Sequence, residues 1–227
     1  MSKLSKRLKE ARAKIESNKT YPIEEAIKLI KETSQVKFDA SIEVHAHLGI
    51  DPKKGDQIIR GAIVLPHGTG KVLKIAAFVP EGKIKEAKQA GADLAGGDEL
   101  INEIKKTGKC DFDLAVATPE IMKNLAVIAR TLGQKGLMPN PKMGTIDSDL
   151  KKMIGELKKG KVSYKNDDTA NVHLLIGKVS FGEKELLENF QTFFDALKKS
   201  KPQSAKGVFF KSIHLASSMG PSVKIAV

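Results

Sequence analysis

Two kinds of strand occur in this chain, and one sheet does not accommodate both. Residues 41–48 alternate strictly: Ile42, Val44, Ala46 and Leu48 share one side, and Ser41, Glu43, His45 and His47 the other. A period of two predicts a strand with one face on a core and one in water. Residues 72–79 instead form a short apolar run, as in a parallel strand covered on both faces. Each style implies its own surroundings, so the chain is expected to build two different layered structures.

The rest of the pattern sorts between them. Residues 20–33 carry Ile23, Ala26, Ile27 and Ile30 at helical spacing, with Pro22 suited to a first turn. A turn at 51–55 leads to a strand over 57–65. The apolar run at 72–79 is followed by helices over 84–90 and 99–105, a strand over 114–118, and helices over 120–131 and 148–158. Strands alternating with helices indicate a doubly wound unit. From Lys161 the wet-faced style returns. Residues 162–165 and 171–179 flank Asn166, Asp167 and Asp168, a turn sequence, and read as a hairpin. A helix over 183–198 and strands over 207–216 and 223–227 follow. The expected class is therefore α/β. Residues 1–67 and 158–227 fold together as a discontinuous α+β domain, and 68–157 form an inserted three-layer, Rossmann-like domain. Glycines at both crossings, at 66–70 and 158–161, suit hinges.

Charge points to the partner. The chain carries 39 Lys and Arg against 27 Asp and Glu, a net +12. Such a surface attracts polyanions. With the crossings placed above, the end segments hold 13 basic and 9 acidic plus 12 and 6 residues, a net +10, and the middle holds 14 and 12, a net +2. Most phosphate affinity is then expected in the end domain. No apolar run approaches the roughly 18 residues of a membrane span. The basic first segment (Lys3, Lys6, Arg7, Lys9, Arg12, Lys14) precedes no signal core. Its apolar positions Leu4, Leu8, Ala11 and Ile15 fit a helix docked on the body, without the aromatics of a membrane anchor. The one cysteine, Cys110, excludes an internal disulfide and suits a reducing cytoplasm.

Catalytic motifs fail on spacing. Around Lys71, a phosphate loop needs glycine where Leu65 stands and Ser or Thr where Val72 stands. A dinucleotide fingerprint needs glycine at Leu73. His45 and His47 share a strand face, yet no third metal ligand lies near, and His67, His173 and His214 are isolated in sequence. Asp111 and Asp113 fall at the wrong end of a strand for a ligand site and read as turn residues. An enzyme built on the inserted domain and an assembly factor with acidic partners remain the alternatives to nucleic-acid binding.

Residues 129–145, ARTLGQKGLMPNPKMGT, combine three glycines, two prolines, an apolar centre at Leu137 and Met138, and charge at Lys135 and Lys142. A loop of this length inside a domain is usually functional. This stretch resembles the signature of the large-subunit ribosomal protein one family, in its bacterial form. The resemblance extends to KFDASIEVHAHLGIDPKKGDQIIRGAIVLPHGTGK at 37–71, KVSYKNDDTANVHLLIGKVSF at 161–181 and SSMGPSVKI at 217–225. Gly133-Gln134-Lys135 departs from the family's glycine-proline-arginine, losing the guanidinium fork. Ser218 stands where the family has threonine.

The resemblance implies two α/β domains, the first binding large-subunit rRNA and forming a mobile stalk. It also implies contact with deacylated tRNA leaving the exit site, repression of the chain's own operon mRNA, a cytoplasmic location, a monomer off the ribosome, and no cofactor, metal or membrane. RNA contacts are implied at Lys37, Phe38, Ser41, Lys165, Thr169, His173, Lys211, Ser217, Ser218, Met219 and Gly220. The chemistry is apt. Proteins read RNA through the shallow groove, 2′-hydroxyls and splayed bases. Phe38 offers a flat apolar face, Met219 packs on riboses or bases, Gly220 allows close backbone approach, Ser218 bonds a hydroxyl, and Lys37, Lys165 and Lys211 suit phosphates.

Overall fold

A computed structural model describes residues 5–16 and 19–226. Lys3, Leu4 and Val227, read above as parts of the first helix and last strand, lie outside the described residues, as does the Lys142 side chain. In chain order the elements are α1 (Lys6–Ala13), α2 (Ile23–Thr33), β1 (Ser41–Leu48), β2 (Arg60–Val64), β3 (Ile75–Phe78), α3 (Ile84–Gln89), β4 (Leu94–Gly96), α4 (Asp98–Thr107), β5 (Leu114–Ala117), α5 (Met122–Leu125), α6 (Ala129–Gln134), α7 (Leu150–Lys158), β6 (Lys161–Lys165), β7 (Asn171–Lys178), α8 (Glu183–Lys199), β8 (Phe210–Ser217) and β9 (Ser222–Ile225). They fall into two compact units, Met1–Gly70 with Val162–Val227, and Lys71–Lys161.

The first unit is a four-stranded antiparallel sheet, in the order β7-β1-β8-β9, backed by helices on one face. The alternation in β1 is realised: Ile42, Val44, Ala46 and Leu48 are wholly buried. They meet Ile27 and Ile30 of α2 and Leu186, Phe190, Phe193 and Leu197 of α8. α2 starts at Ile23, not at residue 20, because Tyr21 is extended and bonded to β9, Tyr21 N donating to Lys224 O (3.0 Å) and Ala226 N to Tyr21 O (2.9 Å). Buried Asn189 on α8 donates to Gly68 O (3.0 Å) and Ile176 O (2.8 Å) and accepts from His67 N (3.1 Å). That pins the departing chain to the helix, and each amide group has a partner, as burial requires.

The expected hairpin closes only at its turn, where Asn166 bridges Val172 antiparallel and Asp167 N donates to Asn171 O (2.8 Å); beyond it the arms part. β6 pairs with β2 in a separate two-stranded sheet, while β7 pairs with β1. The intervening turn is built by Asp167, whose carboxylate accepts from Thr169 N (2.9 Å), Asn171 N (2.7 Å) and Thr169 Oγ1 (2.8 Å). Asn166 Oδ1 accepts from Ile59 N (2.8 Å), tying β6 to the segment before β2. The turn reverses the chain while distant partners claim its two arms.

The second unit is a parallel sheet, β4-β3-β5, covered on both faces. Ala76, Phe78, Ala115 and Ala117 face α4, α5 and α6; Ile75, Ala77, Val79 and Val116 face α3 and α7. This is the three-layer arrangement, and it explains why β3 reads as an unbroken apolar run. The sequence reading missed β4, three residues long. The helix expected over 120–131 is broken by tighter turns at Pro119–Ile121 and Ala126–Ile128. α7 begins where Asp149 accepts from Lys152 N (3.1 Å), an N-cap.

Phe193 is 1% exposed and meets the Tyr164 ring edge-on, with centroids 5.8 Å apart. Phe193→Ala is expected to lower unfolding free energy by about 3–5 kcal/mol. Denaturant melts showing a loss below about 1 kcal/mol would contradict this packing.

Candidate nucleic-acid interface

Several of the sequence-chosen residues meet where β1 begins and β8 ends. Ser218 N donates to Ser41 O (2.9 Å), its hydroxyl reaches the same oxygen (3.4 Å), and Gly220 N closes a turn on Ser217 O (2.9 Å). Met219, at the tip, has φ of 63° and is 71% exposed. The left-handed conformation costs a non-glycine residue roughly 1–2 kcal/mol, so the turn's bonds must hold it. Gly220 has no room for a side chain: a Cβ there would lie 2.2 Å from Ser217 Oγ. Phe38, 55% exposed, stands just ahead of β1 beside exposed Lys37. Asp39 fixes that approach by accepting from Ser180 N (3.1 Å) and Ser180 Oγ (2.9 Å), and Lys178, the register partner of Ser41, donates to Asp39 O (3.4 Å). Lys37, Phe38, Ser41 and residues 217–220 thus share one end of the sheet. Ser217 faces inward, 4% exposed, and its hydroxyl has no partner among the described residues.

The other candidates lie elsewhere. β1 spans about 23 Å from Ser41 to Leu48, and Thr169 sits in the turn leading into the far end of β7, its hydroxyl held by Asp167. Desolvation pushes the Asp167 carboxyl up, but the bonds from Asn171 and Thr169 prevail and hold it well below the usual aspartate range. Lys165 is exposed on β6. Lys211, at the start of β8, lines a groove of about 670 Å³ with Lys54, Lys206, Asp51 and Gly49. The eleven residues form one cluster and four outliers.

Between the two ends lies a row that sequence spacing did not reveal. Register places His173, His45, His214 and Lys224 side by side across β7, β1, β8 and β9. His173 and His214 are therefore not isolated. His45 Nδ1 lies 2.7 Å from His173 Nδ1, so one ring donates a proton and the other accepts it. Glu43 approaches His45 at 3.8 Å and Asp167 approaches His173 at 3.5 Å. Desolvation first, then repulsion from His173, pushes the His45 pKa down, against an opposing pull from Glu43; desolvation and Lys224 lower His214. No cluster of three or more His, Cys, Asp or Glu able to hold a metal occurs among the described residues.

In the second unit, the carboxyl ends of the three parallel strands open on a cleft of about 340 Å³ lined by Glu81, Asp98, Glu120 and Asn124. That is where a doubly wound sheet receives its ligand, but these carboxylates repel a nucleotide's phosphates. Asp113 accepts from Lys71 Nζ (2.9 Å) and Lys74 N (3.2 Å), a structural role, and the Lys71 bond holds its carboxyl below the ordinary range. The glycine-rich loop is ordered. Leu137 and Met138 pack on the core, Asn140 N donates to Thr145 Oγ1 (2.8 Å), and Lys135 donates to Gly108 O (3.1 Å). Counted within the two units, basic and acidic residues number 22 and 15 in the first and 17 and 12 in the second, net +7 and +5. The contrast expected from the sequence shrinks because Lys158, Lys159 and Lys161 belong to the second unit. Net charge alone does not choose between the units.

These features define an α/β protein in two units, equipped to hold a polyanion. The profile of the ribosomal protein L1p/L10e family matches residues 30–221, and the chain belongs to this family. It is a ribosomal protein, not an enzyme. It is 51% identical over 225 residues to the large ribosomal subunit protein uL1 of Mycoplasma capricolum, with 99% of each chain covered. It is 52% identical to that of Macrococcus caseolyticus, covering 99% of this chain and 97% of the relative, and 48% identical to that of Mesoplasma florum, each covered in full.

Two predictions follow from this geometry. Gly220→Ala is expected to cost about 1–3 kcal/mol, and Ser217→Ala to restore most of it, because the remaining Ser217 Cβ would sit 3.5 Å from the new methyl. A Gly220→Ala protein that melts like the wild type removes the clash. Lowered histidine pKa values mean the folded state binds these protons more weakly than the unfolded chain. Their stability contribution is therefore full above about pH 6.5 and lost as pH falls through the folded values. NMR titration should give His45 and His214 midpoints below 6.5; midpoints above it would refute the assignment.

Proposed function

We propose that the chain binds large-subunit rRNA through the end of the first unit's sheet. Phe38 and Met219 act as apolar contacts, Ser41 and Ser218 as hydroxyl contacts, and Lys37 as a phosphate contact. The observation that carries the reading is a pair of exposed apolar side chains held on fixed backbone beside lysines. Folded RNA offers matching groups: unstacked bases and riboses for the apolar tips, 2′-hydroxyls for Ser218, and phosphates for lysine. The relatives are named as large-subunit proteins, and the same assembly is carried over here. Lys165, on the separate two-stranded sheet, and His173 and Lys211, away from that end of the four-stranded one, extend the contact to neighbouring phosphates, whereas the Thr169 hydroxyl is already held by Asp167. Ser217 supports the turn from inside.

On the ribosome this protein forms a mobile stalk and assists departure of deacylated tRNA from the exit site. Off the ribosome it is a monomer that represses its own operon mRNA. One surface serves both RNAs, so rRNA and message compete for it.

Phe38→Ala is expected to weaken affinity for large-subunit rRNA transcripts by about 1–3 kcal/mol with little change in melting temperature. Met219→Asn should do likewise, because asparagine tolerates the left-handed backbone. Affinity should fall steeply with salt as several phosphates are neutralised. Equal losses in melting temperature and binding, or a flat salt dependence, would overturn the reading. With no Trp and two Tyr, the protein absorbs weakly, so co-purifying RNA will dominate the ultraviolet spectrum and vanish with nuclease.

A further inference from the structure

The turn at 217–220 is gripped from a place remote in sequence. Arg7, on α1, donates from Nη2 to the backbone oxygen of Met219 at 3.0 Å, across 212 residues of chain. Its other terminal nitrogen, Nη1, is buried without a partner among the described residues, and no ion pair involving Arg7 occurs among them. Met219 O is thus the one protein acceptor this guanidinium has there. The helix that carries it is itself anchored. Ser5 caps it at Leu8 N (3.4 Å), Ala11 is 2% exposed, Ile15 packs on the first unit's core, and Glu16 N donates to the Tyr21 hydroxyl (3.1 Å).

We infer that Arg7 is a positioning residue for RNA binding: fixed by α1, its guanidinium holds the Met219 carbonyl and so keeps the Met219 side chain raised toward RNA. The inference rests on the RNA reading above. The turn's other bonds, from Ser218 N to Ser41 O and from Gly220 N to Ser217 O, fix the residues on either side of Met219. The second holds the N–H of the peptide that follows Met219 from within the turn; Arg7 holds that peptide's carbonyl from outside it. A residue with φ of 63° has a more comfortable extended alternative nearby, and an external donor on its carbonyl opposes that flip. The planar guanidinium holds one orientation, which a flexible ammonium does not. Arg7 therefore acts through Met219 and adds no phosphate contact of its own.

The test uses the full chain with Arg7→Ala, Arg7→Lys, Met219→Asn and the double variant of Arg7→Ala with Met219→Asn. The Met219 methyl signal in the free protein is followed by NMR, and affinity for large-subunit rRNA transcripts is measured over a salt series. Arg7→Ala is expected to shift and broaden the Met219 methyl signal and to weaken binding about tenfold, with the salt slope unchanged. Arg7→Lys should fall well short of wild type. The double variant should bind no more weakly than Met219→Asn alone. An undisturbed methyl signal, full rescue by lysine, multiplying losses in the double variant, or a salt slope reduced by about 1 would each overturn the inference. If the wild type ignores rRNA, the functional reading fails, and the methyl signal still decides whether Arg7 holds Met219.

Discussion

The pairing of β1 with β7 on one side and β8 on the other is the constraint on which the first unit rests. Residues 41–48 are central in the sheet, and both neighbours come from beyond residue 170. That pairing buries Ile42, Val44, Ala46 and Leu48 together with the inner residues of β7 and β8 against α2 and α8. A slip of one residue would send these side chains to water and bring Glu43, His45 and His47 inside. The same register that fixes the core also fixes the open face, so the histidine row and the Ser41–Ser218 contact follow from the requirement that buries Val44.

Fold and function part company at the two strand ends. Around the far turn, Asp167 closes its own hydrogen-bond circle with Thr169 and Asn171 and leaves few groups for a ligand. At the near end the polar groups bind backbone and leave the apolar tips outward: Phe38 and Met219 are exposed although both are large and hydrophobic. Phe38 stands beside exposed Lys37, and Met219 tips a turn that Arg7 holds by its carbonyl. The second unit offers no comparable surface at its strand ends, where Glu81, Asp98 and Glu120 gather.

Periodicity made much of this legible. The alternation of β1, the apolar run of β3 and the spacing of α2 and α8 each reflect which faces are buried, and burial is written locally. Pairing is not. Residues 161–179 carry every short-range mark of a hairpin, yet β6 goes to β2, because a bond from Ile59 to Asn166 and the closeness of Gly61 to Tyr164 are invisible to local reading. His214 looked isolated for the same reason: its neighbour His45, set by register, lies 169 positions away in sequence. β4 was too short to show a period. The candidate positions Phe38 and 218–220 came through resemblance, not spacing, and Arg7 carried no signal at all, being one of many bases in a basic helix.

The discontinuous first unit also sets a timetable for synthesis. A ribosome delivers β1 early, but its partners emerge only after more than a hundred further residues, and β8 comes almost at the end. The second unit closes within one continuous stretch and can fold while the chain still grows, since local contacts form sooner than distant ones. Until β7 and β8 emerge, then, the half-apolar β1 has both edges unpaired.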